Sequence, residues 1–222
     1  MDMAGGWTFV RRNPSALLLA VQLLGVVLYP FVDAPGGQAL LGLFGLLVLL
    51  LAVWTVRTTP ALTWVAILLG IPVAVLTIAE AVAPTSREIA FVSGLLHAAF
   101  YFYTSYGLIR YMFRDRFVST DELFATGATF TVVAWAFAYL YQAVQAVWPG
   151  SFIAAVDPNA QRTWIELLYL SFTTLTSTGL SDIVPVVAQA RSVVMIEMVA
   201  GMMYIVLVLS RVVGLTLARQ RA

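Results

Sequence analysis

The chain contains one histidine, His97, and no cysteine. Disulfides, iron–sulfur clusters and thiolate zinc sites are thereby excluded, without indicating a redox compartment. Intramembrane hydrolysis would need a nucleophile beside a base, and metal catalysis would need a cluster of His or carboxylates. The carboxylates are instead scattered, with Asp33, Glu88, Asp157, Glu166 and Asp182 in polar segments and Glu197 inside an apolar one. Neither a catalytic residue nor a cofactor is therefore expected. What remains as chemistry is a hydroxyl-rich run, residues 169–185, reading Tyr-Leu-Ser-Phe-Thr-Thr-Leu-Thr-Ser-Thr-Gly-Leu-Ser-Asp-Ile-Val-Pro. It contains an apolar helix-like segment of about a dozen residues, too short to cross a hydrocarbon core of ~30 Å. Such a segment enters a membrane and leaves by the same side. Non-helical backbone at that depth is tolerated only where protein buries it or water lines it, so it usually marks a transport pathway.

The elements that position this run are apolar helices. Of the 222 residues 61% are hydrophobic and only 10% charged, with a mean hydropathy of +0.93; soluble domains carry about 25% charged residues. Lipid is therefore the solvent. Apolar runs at roughly 15–32, 38–56, 60–83, 89–113, 123–147 and 187–217 are separated by turn-forming or charged segments such as Asp33-Ala34-Pro35-Gly36-Gly37 and Arg57-Thr58-Thr59-Pro60. An all-α membrane protein of six transmembrane helices follows, with the short segment lying between the fifth and sixth. Arg11 and Arg12 precede the first run, which is long and shows no small-residue cleavage pattern before Phe31, so it reads as a retained helix.

Orientation rests on arginine, because the chain has no lysine. Arg11, Arg12, Arg57, Arg110, Arg114, Arg116, Arg219 and Arg221 fall on one side, and Arg87, Arg162 and Arg191 on the other. Both termini are expected in the cytoplasm of a multi-pass plasma-membrane protein, with the short segment opening outside. The formal charge of +1 comes from singly scattered basic residues, which gives no footprint for nucleic acid. The polar break around Arg114-Asp115-Arg116 and Ser119-Thr120-Asp121-Glu122 divides the chain into a four-helix part, 1–117, and a second part, 118–222. Asp121 and Glu122 complement the N-terminal dipole of the fifth helix.

Residues 169–185 resemble the pore helix and filter of bacterial potassium channels, in which Thr-Val-Gly-Tyr-Gly is followed by Asp. The resemblance extends to Asp121-Glu122-Leu123-Phe124, Trp148-Pro149-Gly150-Ser151-Phe152, Ala190-Arg191-Ser192 and Arg211-Val212-Val213-Gly214, and takes in about half the chain. It implies a homotetramer among membrane lipids, with residues 118–222 as outer helix, pore helix, filter and inner helix. Ion conduction then falls to Thr176, Ser177, Thr178, Gly179, Leu180, Ser181 and Asp182. A monovalent cation, potassium first, would be held at Ser177, Thr178, Gly179 and Leu180, because backbone carbonyls from four copies replace its water shell.

Ser177, Thr178, Gly179, Leu180 and Ser181 stand where the family has Thr, Val, Gly, Tyr and Gly. Ser181 in the second glycine's place is expected to be strained at positive φ, or else to let the outer carbonyls turn from the axis. Reduced discrimination against sodium follows. The loop is also similar to the Thr-Thr-Gly-Leu-Ser loops of the Trk and Ktr potassium transporters, where one glycine serves. A non-conducting, plugged scaffold is the alternative reading, and an intramembrane enzyme stands behind both.

Other residues carry two readings each. Gly201 sits where similar channels bend to open, as a gating hinge, or else marks a close helix contact. Glu197 is expected to face the pore helix or Arg191, since an intramembrane carboxylate is expensive in lipid. Glu166 is expected to serve the pore-helix dipole, and His97 to be a satisfied bundle residue rather than a proton sensor. Between Arg87 and Arg110 nothing basic occurs, so the front four helices lack the arginine ladder of a voltage sensor.

Overall fold

A computed structural model describes residues 13–28, 37–56, 63–82, 86–114, 119–211, 213–214 and 217. Seven helices and one two-stranded ribbon make up the described chain: α1 (Pro14–Leu28), α2 (Gly37–Val56), α3 (Thr63–Val82), α4 (Arg87–Met112), α5 (Thr120–Val147), β1 (Phe152–Ala154), α6 (Trp164–Leu175), β2 (Ile183–Pro185) and α7 (Ala188–Tyr204). A π-helical turn, Ile205–Leu209, continues α7. The expected linker residues 33–36 and 57–60 lie outside the described residues, as do Arg11, Arg12, Arg57, Arg116, Arg219, Arg221 and residues 115–118 of the expected domain boundary.

Side-chain caps set three of the helix starts. At α4 the Ser86 hydroxyl accepts from the Ile89 N–H at 3.3 Å. At α5 a capping box closes, with Glu122 N–H donating to Ser119 Oγ at 3.2 Å and Ser119 N–H to Glu122 Oε2 at 3.3 Å. The same reciprocal pair, Thr163 and Glu166, opens α6. Among the described residues three helices are long and apolar enough to cross a membrane, within Thr63–Glu80, Thr120–Val147 and Ala188–Val208. At 12 residues α6 reaches only about 18 Å, short of that span.

The hub is α5, whose residues 131–138 are buried without a break. On one side α1 is fastened to it at two levels. Ser15 N–H and Oγ–H both donate to the Asp121 carboxylate at 3.0 Å, and Thr131 Oγ donates to Gln22 Oε1 at 2.7 Å. Asp121 thus serves the start of α1 in preference to the dipole of its own helix alone. Packing of α4 along α5 is close enough that a Cβ on Gly94 would stand 2.8 Å from the Tyr139 carbonyl oxygen. Through Gln142 Nε2, α5 also reaches Glu80 of α3 at 2.9 Å. On its other side α5 packs on α6 and α7, and Arg211 ties the chain beyond the π turn back to the Met112 carbonyl at 2.7–2.9 Å.

The ribbon decides where the chemistry-bearing run sits. Phe152 pairs with Pro185, Ile153 with Val184 and Ala154 with Ile183, antiparallel, and Val186 N–H adds a bond to Ser151 O at 2.9 Å. The segment between the strands therefore begins and ends at one place. It goes in as α6 and comes back as an irregular loop.

Candidate functional site

The loop is built on the C-terminus of α6. A helix leaves its last carbonyls unpaired, and the chain can satisfy them by turning left-handed just past the C-cap. Thr176 is the C-cap; the next residue, Ser177, has φ +59°. Its N–H returns to Thr174 O at 3.0 Å, and the Thr178 N–H returns to Thr173 O at 3.1 Å. These are the two bonds of a Schellman motif, with serine where glycine is usual. The Gly179 N–H also reaches Thr173 O at 3.1 Å, and Gly179 itself has φ +66°. Hydroxyls reinforce the turn, with Thr176 Oγ on Phe172 O at 2.7 Å and beside Thr178 Oγ at 3.0 Å. Positive φ at 177 and 179 brackets Thr178, so the backbone alternates in hand there and stays folded over the helix end.

Residues 176–180 are all exposed in the single chain, and a Cβ on Gly179 would meet nothing within 4 Å. Positive φ, not crowding, is what calls for glycine at 179.

Of the two expectations for Ser181, strain at positive φ is not the one the second half of the loop displays. Positive φ among the described non-glycine residues falls on Asp157 and Ser177, not on Ser181. The physical reason is local: the helix cap demands a left-handed residue at 177, whereas Ser181 lies beyond the cap, just before β2. Its hydroxyl oxygen accepts from the Ile183 N–H at 3.0 Å. Before it, the Leu180 carbonyl accepts from the Tyr169 hydroxyl at 2.6 Å. A tyrosine on α6 thus holds the loop at Leu180. Asp182 is exposed.

The wall outside the loop is pinned by Arg162 and Gln145. Gln145 pairs with the backbone of Arg162 in both directions at 2.9 Å. The guanidinium donates to the Asp157 and Ala160 carbonyls at 2.6 Å and forms an ion pair with Glu166 at 3.0 Å. Arg162 is buried, and each of its three guanidinium nitrogens donates a hydrogen bond, which is the use a planar guanidinium suits. Glu166 is therefore both a capping residue and a partner of Arg162.

Behind the loop stands α7. Gly201 is buried against the end of α6, where a Cβ would lie 2.2 Å from Leu175 O. Of the two readings of this residue, the close contact is the one displayed; the change of helical winding comes later, at Ile205–Leu209. Glu197 is fully buried, and its carboxyl contacts the Ser171 hydroxyl on α6 and accepts from the Tyr141 hydroxyl on α5. Ser171 has one hydroxyl proton, and the Ala134 carbonyl at 2.8 Å can only accept it. The Ser171 hydroxyl is thus shared between the Ala134 carbonyl and the Glu197 carboxyl. Glu197 meets the pore-helix candidate as expected, while Arg191 turns to Pro185 O at 3.1 Å.

His97 lies elsewhere. Its Nδ1 is within 3.1 Å of Ser93 Oγ and 2.9 Å of Ser93 O, Nε2 is 3.2 Å from Thr77 Oγ, and the ring stacks on Tyr139 at 4.1 Å. It is a satisfied bundle histidine. Among the described residues no group of three His, Cys, Asp or Glu side chains is placed to hold a metal. Tyr169, Ser171, Tyr141 and the Gln145–Arg162 pair are not legible as site residues, since the contacts that give them their roles join positions between 11 and 56 apart.

The sequence pattern of the ion channel family matches residues 89–217, from the first turn of α4 to beyond α7. That is more than half of the chain, and the chain belongs to this family. With its apolar helices, it is a membrane protein. No curated protein and no solved structure matches it.

Proposed function

We propose that the chain is the pore-forming subunit of a homotetrameric cation channel in which the loops of four copies, Thr176 to Asp182, surround the ion path. One observation carries the reading: an exposed loop on a helix too short to span, with Ser177 and Gly179 at positive φ and both ends fixed by the β1–β2 pairing, in a chain of the ion channel family. One loop supplies a quarter of the carbonyl ring that strips water from a cation, so fourfold assembly is required. The single chain also leaves large apolar side chains of α7 and its π turn exposed, among them Met195, Val199, Met202 and Val206, a surface that neighbouring copies and the pore would take up.

In this reading residues 1–117 form a four-helix domain without gating charges and residues 118–222 the pore domain. Six helices cross a plasma membrane, the loop opens outside and both termini are cytoplasmic. Potassium is the permeant ion, with weak exclusion of sodium, because discrimination grows with the number of coordinating dipoles. The Leu180 carbonyl, occupied by Tyr169, leaves fewer of them than a five-residue filter has. Purified protein in liposomes, with potassium, sodium and rubidium fluxes compared at equal gradients, tests this. Flux of all three, with potassium and rubidium modestly ahead, is expected; absence of flux favours the plugged scaffold.

A further inference from the structure

We propose that Tyr169 is a specificity-determining residue of the loop: its hydroxyl, by binding the Leu180 carbonyl, withholds that carbonyl from the ion path and ends the coordinating stretch at Gly179. The inference rests on the channel reading and adds to it the residue that sets where coordination stops. Tyr169 lies in the middle of α6, and its Oη stands 2.6 Å from Leu180 O. The side chains of both residues are otherwise at the surface, 47% exposed for Tyr169 and 78% for Leu180. Packing therefore does not fix the orientation of this peptide group, and the hydroxyl supplies a directional hold.

Two further contacts act in the same sense. Ser181 Oγ accepts from Ile183 N–H at 3.0 Å, which bends the chain away immediately after Leu180. The next residues are then paired to β1 through Ile183 and Ala154. With the chain drawn outward on one side and the carbonyl held by Tyr169 on the other, the alternation of hand begun at Ser177 and Gly179 does not continue. A phenol serves this role because its O–H donates to a carbonyl while the rigid ring spans the gap from the helix. The consequence is chemical: four potential dipoles at the outer level are spent on four tyrosines, and cations there keep water.

The test is Tyr169→Phe in the full chain, reconstituted beside the parent and read by reversal potential in mixed potassium and sodium. Freeing the carbonyl is expected to raise the potassium-to-sodium permeability ratio about two- to tenfold, the factor one net hydrogen bond is worth. A conducting variant with an unchanged or lower ratio overturns the proposal. A second readout does not need conduction: the amide I band of a Leu180 carbonyl labelled with carbon-13 and oxygen-18 by semisynthesis. It is expected to shift to higher frequency in Tyr169→Phe, and an unshifted band shows that the hydroxyl does not hold this carbonyl. If the parent itself passes no cation, the channel reading falls on that result, and the infrared band still decides whether Tyr169 binds Leu180.

Discussion

Replacing Glu197 by leucine is expected to loosen α7 from α5 mainly through Tyr141. The carboxyl is fully buried and bridges three helices, contacting Ser171 on α6 and Tyr141 on α5 from its own place on α7. Ser171 keeps a partner when Glu197 is lost, because the Ala134 carbonyl lies 2.8 Å away. Tyr141 is also fully buried and loses its carboxyl acceptor, with Thr174 as the remaining neighbour. Hydrogen bonds in membrane proteins couple by about 0.6 kcal/mol on average and up to about 1.7 kcal/mol. A pair this enclosed belongs near the upper end, about 1–1.7 kcal/mol, or roughly 2–6 °C in thermal midpoint for a chain of this size. Glu197→Gln should cost much less, since the amide N–H can donate to Ser171 and the amide oxygen can accept from Tyr141. The assay is thermal unfolding in detergent for Glu197→Leu, Tyr141→Phe, the pair combined, and Glu197→Gln. The double variant should be more stable than the sum of the single losses by the coupling above. Additive losses, or a glutamine variant as damaged as the leucine one, would refute the bridging argument.

Gly201→Ala places a Cβ 2.2 Å from the Leu175 backbone oxygen, which cannot yield as a side chain would; a loss of about 1–3 kcal/mol in unfolding stability is expected. Gly45→Ala meets nothing within 4 Å inside α2 and is expected to be neutral or stabilising by up to about 1 kcal/mol in the same melt. Gly179→Ala also meets nothing but carries φ +66°, so folding should survive while a strain of about 1–2 kcal/mol depletes the loop conformer and lowers flux about five- to thirtyfold. In planar bilayers the current should depend only weakly on voltage, because α4 has no basic residue between Arg87 and Arg110. Fewer than one charge per subunit then couples less than about 2.3 kcal/mol per subunit per 100 mV to opening.

Local signals carried further than distant ones. The short helix is legible because an apolar dozen residues cannot span a bilayer, and Glu166 reads as the acidic residue of its first turn, while the reciprocal cap with Thr163 appears only in the structure. The buried role of Glu197 followed from the high energy of a lone carboxylate in lipid. Position in a motif makes strain at Ser181 one of two expectations, whereas the structure places the left-handed serine at 177. That choice is made by the end of α6, whose unpaired carbonyls call for a cap, and no residue type announces it. The ribbon between residues 152–154 and 183–185, the hold of Tyr169 on Leu180 and the clasp of Asp121 on Ser15 are pairings across sequence distance. Periodicity says nothing about them. Ser15 and Asp121 in particular read as two separate polar ends, and only their meeting shows that the first helix is anchored on the fifth.

Rubidium soaked into crystals of the reconstituted assembly, and located by its anomalous scattering, tests most directly whether four loops hold a dehydrated cation. The account predicts density on a fourfold axis at the level of Ser177 to Gly179, with none fully dehydrated at the level of Leu180, whose carbonyl is bound by Tyr169. An axis with no rubidium at these residues, or an assembly without fourfold symmetry, would contradict it.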